Sequence, residues 1–73
     1  MKKETRINSI RLEFLDIHQV LDERSIRWWC ASKVRAYNRI HQQGGVSIVS
    51  EATGISRNRI YRGLQEIAED SIQ

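Results

Sequence analysis

The run Gly44–Leu64, GGVSIVSEATGISRNRIYRGL, decides how this chain is read. Val46 and Val49 supply the apolar face of a short helix, and Ser50 is the small residue where a second helix crosses it. Gly54 falls four residues after Ser50, at a turn that calls for left-handed backbone. A Cβ in that conformation costs about 1 kcal/mol or more. Ile55 follows as the buried turn residue, and Ser56 caps the next helix by accepting a bond from a free amide of its first turn. Ile55 and Ile60 are spaced as a hydrophobic staple. Ile60, Leu64 and Ile67 make the inner stripe of that helix, with Gly63 permitting close approach to a neighbour. The spacing predicts helices over 46–53 and 56–70 joined by a tight turn, the layout of a helix-turn-helix.

The outer face of the second of these helices is then Arg57, Asn58, Arg59, Tyr61, Arg62 and Gln65. Arginine pairs bidentately with guanine, and asparagine or glutamine with adenine. Arginine and tyrosine also grip phosphates, which positions a helix without reading sequence. The first turn and the next outward turn of such a helix face base edges. Arg57, Asn58, Tyr61 and Arg62 are therefore the base-reading candidates, and Arg59, Ser47 and Ser56 the candidates for phosphate. The partner these residue types suit is double-stranded DNA. The competing reading is a turn used only for packing, against which the arginine-rich outer face argues.

Working outward, Asn38–Gln43 is polar and runs into Gly44-Gly45, a helix stop and loop. Before it, a helix is predicted over 22–40, capped by Asp22 with Glu23 at its positive end. Ile26, Trp29, Cys30, Val34, Tyr37 and Ile40 form its inner face. Trp28 and Trp29 point about a hundred degrees apart, so Trp29 is the expected core anchor. Trp28 is expected partly exposed or packed on the first helix, with stacking on an unpaired base as the lesser alternative.

The first helix is predicted over 5–20, with a stripe of Ile7, Ile10, Phe14, Ile17 and Leu21. Leu12, Leu15 and Val20 widen its apolar arc beyond what one small core needs. They either pack on the next helix or form the seam of a homodimer. The expected fold is all-α, a small bundle of about four helices with a C-terminal helix-turn-helix, residues 1–73 forming one domain.

A chain of 73 residues holds one small core and no deep catalytic cleft beside it. It contains no proline, and its β-branched residues do not alternate, which favours helices over strands. The net charge of +3 is modest, but its placement is uneven. Between Arg24 and Arg62 stand eight basic residues and a single acid, Glu51. A basic centre on a small helical domain fits a polyanionic partner. Cys30 is the only cysteine, so it has no partner for an internal disulfide and reads as a small buried hydrophobe. With no signal peptide or long apolar run, it points to the cytoplasm and to no membrane partner. His18 and His41 are far apart with no ligand-spaced companion, so no metal site is expected. Without a nucleophile–base pair or phosphate loop, neither enzymatic activity, a cofactor nor a small-molecule substrate is expected.

Leu21-Asp22-Glu23-Arg24-Ser25, the following Trp29, Gly44-Gly45-Val46-Ser47, Ala52-Thr53-Gly54-Ile55-Ser56-Arg57 and Ile60-Tyr61-Arg62-Gly63-Leu64, taken in that order, resemble one family. They look like the N-terminal region of bacterial insertion-sequence transposases of the ISAzo type. The resemblance spans about Leu21 to Ile67, with Trp28 where leucine and Cys30 where alanine is more usual. It implies a bacterial, nucleoid-associated domain that recognises the terminal inverted repeats of a mobile element, followed in the family by a metal-dependent DDE catalytic domain. The family's Ser-Arg and Arg-Gly-Leu segments fall on Ser56-Arg57 and Arg62-Gly63-Leu64. Asp16, Asp22 and Asp70 do not form a catalytic triad, so binding without cutting is the expectation for this chain, as a transposase fragment or a truncated transposase. A stand-alone helix-turn-helix regulator and a helical protein-interaction domain are the alternatives.

Overall fold

Asp22 starts the longest helix of the chain: its backbone is extended, and its Oδ1 accepts a hydrogen bond from the Ser25 amide at 2.8 Å. In the computed structural model, which describes residues 3–71, four helices follow one another. They are α1 (Lys3–Ile17), α2 (Glu23–His41), α3 (Gly45–Thr53) and α4 (Arg57–Ser71). The described residues contain no strand.

The first helix ends earlier than its apolar pattern alone predicts. His18–Val20 tighten into a 3-10 turn, closed by the Leu21 amide donating to the His18 carbonyl at 3.3 Å. The His18 Nδ1 lies 3.0 Å from the Phe14 carbonyl and 3.2 Å from that of Leu15. The ring thereby covers carbonyls that would otherwise end the helix unpaired. At the other end of α2, Gln42 takes the left-handed conformation (φ 71°) and its amide bonds the Asn38 carbonyl at 2.7 Å. Gly44 then precedes α3 with φ 92°. The Asn38 side chain accepts from the Gly45 amide at 2.9 Å, so α2 itself caps the start of α3.

The core joins Ile7 and Ile10 of α1, Cys30 and Val34 of α2, Ile48, Val49 and Ala52 of α3, and Ile60 of α4. Helix α2 packs along α4 and α3, and α1 rests chiefly on α3. Polar contacts trim the joints: Lys33 pairs with Glu13 at 2.9 Å across α2 and α1, and the Arg11 guanidinium donates to the Glu51 backbone carbonyl at 3.5 Å.

Several placements differ from the pattern-based expectation. Ala31 and Ile48 are buried, although neither was in the predicted stripes. Ile40 is 67 % exposed and takes no part in the core. Trp29 is half-buried and not a central anchor; its ring leans on Phe14 (5.5 Å between centroids) with the Lys33 ammonium 5.2 Å above it. The small core is filled by Cys30, Val34, Val49 and Ile60, leaving the indole at the rim. Leu12 and Leu15, at 65 % and 54 % exposure, do not pack on the next helix.

Candidate nucleic-acid interface

The turn between α3 and α4 is built by three neighbouring side chains. The Thr53 hydroxyl donates to the Val49 carbonyl at 2.8 Å and accepts from the Ile55 amide at 3.1 Å. The Ser50 hydroxyl donates to the Ile55 carbonyl at 2.8 Å, tying the turn back to α3. Gly54 is left-handed (φ 78°) and its amide bonds the Ser50 carbonyl at 2.9 Å. The Ser56 hydroxyl accepts from the Arg59 amide at 3.2 Å, which caps α4.

On that first turn Arg57 and Asn58 are exposed, and Tyr61 on the next is 57 % exposed. Among the described residues none of the three side chains makes a hydrogen bond or ion pair, so their polar groups face solvent. Arg62 is also exposed, but its Nε lies 3.8 Å from Glu66. Ser56 is exposed, its hydroxyl engaged in the cap.

Arg59 stands apart from this group. It is half-buried and folds back to Glu23 at the start of α2, with 3.2 Å between Nη2 and Oε1. The flank of α4 facing that end of α2 is neutralised further along. Arg27 makes a bidentate pair with Glu66, both contacts at 3.0 Å, and the Trp28 indole N–H donates to the same carboxylate at 3.2 Å. Trp28 is thus partly exposed, one of the two expected placements, with its indole tied to α4 and the Arg24 guanidinium 4.8 Å over its ring. The hydrogen bonds from Arg27, aided by Trp28 and the charge of Arg62, hold the Glu66 carboxyl below the usual carboxylate range. The same pair raises Arg27. Burial pushes the Cys30 thiol up, so it is an inert core group.

The opposite flank of α4 looks into a groove. Its walls are the C-terminal half of α2, the start of α3, and Tyr61 with Leu64. Ser47 lies half-buried on its α3 side, and Arg35 and Arg39 line its α2 side. These two arginines were not singled out as site residues from the sequence. Their spacing of one helical turn was visible there, but it reads as any solvated helix face. Only the crossing of α2 over α4 brings them beside Tyr61.

Among the described residues no three His, Cys, Asp or Glu side chains gather as a metal-binding group, and no helix is long and apolar enough to cross a membrane. Comparison of the chain with protein-family models, with curated proteins and with solved structures finds no match.

Proposed function

We propose that this chain is a double-stranded DNA-binding module, with α3, the Gly54 turn and α4 acting as a helix-turn-helix and α4 entering the major groove. The observation that carries this reading is the first two turns of α4, where Arg57, Asn58 and Tyr61 are exposed with no hydrogen-bond or ion-pair partner among the described residues. Those are the turns that face base edges in this geometry, and those side chains carry the donors and acceptors that read them. Arg62 joins them as a base or phosphate contact, while Ser47 and Ser56 sit where backbone contacts are made. Arg59, paired with Glu23, contributes to phosphate binding only if that pair opens.

The particular role proposed is recognition of transposon terminal inverted repeats, by a transposase N-terminal domain or a truncated transposase, on the nucleoid in a bacterial cytoplasm. The resemblance running from Leu21 to Ile67 supports it. Titration with the repeats flanking the gene tests it. Binding is expected to exceed that of random duplex by at least about tenfold, and to weaken with salt at a log–log slope of roughly −4 for four or five contacted phosphates. Binding with no preference for those repeats rejects the transposase role but keeps the DNA-binding one.

A second reading, a stand-alone dimeric regulator on a near-palindromic site, draws on Leu12, Leu15 and Val20. All three are more than half exposed, the first two on one side of α1. Sedimentation equilibrium separates the readings: a monomer at high concentration rejects this one.

A further inference from the structure

We propose that Arg35 and Arg39 of α2 form a phosphodiester clamp, which holds the DNA backbone strand running along the Tyr61 flank of α4. The proposal rests on the DNA-binding reading above and extends it to a second helix and to one flank.

The two flanks of α4 differ in charge. On one, Arg59 is ion-paired with Glu23, and Arg27 and Arg62 converge on Glu66. The two carboxylates there largely neutralise those three guanidiniums, which leaves that side less attractive to a phosphate than arginines without an acidic partner. On the other, the groove between α2, α3 and α4 is lined by Arg35, Asn38, Arg39, Ser47, Tyr61 and Leu64 among others, and by no aspartate or glutamate. Among the described residues neither Arg35 nor Arg39 makes an ion pair or side-chain hydrogen bond, and both are exposed. Two guanidiniums one helical turn apart, with a serine and a phenol on the facing walls, present donors spaced for successive phosphates.

Position selects the occupant. Tyr61 belongs both to the outward turn of α4 and to the wall of this groove. A helix in the major groove, roughly 12 Å wide, is flanked by both phosphate strands. The strand on the Tyr61 side passes the mouth of the groove. Duplex DNA held by α4 therefore meets Arg35 and Arg39 without any rearrangement. These contacts carry no base information, so they strengthen binding to every sequence alike.

The test compares the full chain with R35A/R39A, R35K/R39K and R57A/N58A. Each is titrated with a duplex carrying the flanking repeats, with a random duplex of equal length, and with phosphatidylserine vesicles. R35A/R39A is expected to bind both duplexes about tenfold more weakly near 0.1 M salt, and to reduce the salt slope by about 2, from roughly 0.9 per phosphate lost. The lysine pair is expected to regain most of the loss. Far-UV circular dichroism reports folding; if the double variant loses helix, R39A alone reads a slope reduced by about 1. Unchanged affinity and slope in R35A/R39A, with binding lost in R57A/N58A, overturns the clamp and leaves the DNA-binding reading standing. A loss confined to the repeat duplex also overturns it, since that is the signature of base reading. Wild-type chain that binds neither duplex removes the DNA-binding reading and the clamp together, and vesicle binding in that case assigns the groove to anionic lipid.

Discussion

Gly63 of α4 lies directly against the Arg27 carbonyl group of α2. A Cβ at residue 63 would stand 2.9 Å from the Arg27 carbonyl carbon and closer still to its oxygen. Both atoms belong to helical backbone, which does not rotate aside as a side chain does. The absence of one carbon atom thus sets how closely the helix carrying Arg57 and Tyr61 approaches the helix carrying Arg35 and Arg39.

Gly63→Ala is accordingly expected to destabilise the fold by about 1–3 kcal/mol, the range for an overpacked site, and toward its upper end. Urea denaturation followed by circular dichroism measures it. A midpoint shift equivalent to less than about 0.5 kcal/mol, the scale of an ordinary surface substitution, would mean that the two helices separate at little cost.

Gly54→Ala isolates a different cause. Nothing lies within 4 Å of a Cβ built there, so space is not the obstacle; the positive φ of 78° is. The expected loss is about 1 kcal/mol, and Gly54→Asn recovers part of it because asparagine tolerates left-handed backbone. Equal losses for alanine and asparagine in the same denaturation assay would contradict this account.

Stability is expected to fall on acidification through Glu66. Its folded-state carboxyl is depressed, first by the Arg27 hydrogen bonds. Its contribution is therefore fully present above the unfolded carboxylate value of about 4.3 and is lost as pH falls through the lower folded value. Asp22, depressed by its bonds to Ser25, adds a loss of the same sign. Thermal melts of wild type and Glu66→Gln between pH 7 and about pH 2.5 check this. The variant is expected to be less stable at neutral pH, and the gap is expected to narrow as pH drops through the folded value. Parallel curves would exclude Glu66 as a source of the acid limb.

Removing Arg57 and Arg62 together is expected to leave folding stability within about 0.5 kcal/mol, since both are exposed. DNA affinity is expected to fall at least about tenfold, as one lost base contact is worth about 1–3 kcal/mol. Arg59→Ala inverts the pattern, with a small loss of stability and an unchanged salt slope, because its guanidinium is engaged with Glu23. A slope that falls as much for Arg59→Ala as for the pair would show Arg59 released from Glu23 on the DNA.

Much of the architecture is legible in the chain because its causes are local. Asp22 and Ser56 bond amides three residues ahead, Gly54 turns the backbone at its own position, and Ile60 recurs in step with Leu64 and Ile67. Each needs only the helical repeat and the chemistry of one residue type, so class, helix number and turn are readable without coordinates. The outward placement of Arg57, Asn58 and Tyr61 follows from the same periodicity. What tertiary structure alone decides is which charges remain available to a partner. Arg59 and Arg62 are alike in sequence, yet one bends to Glu23 and the other stays mostly in solvent. Glu66 gathers Arg27 and Trp28 from 39 and 38 positions away, while Arg35 and Arg39 meet no acid among the described residues. Coulombic and hydrogen-bonded partners are chosen by distance in space, and that distance is set by how α2 crosses α4 at Gly63.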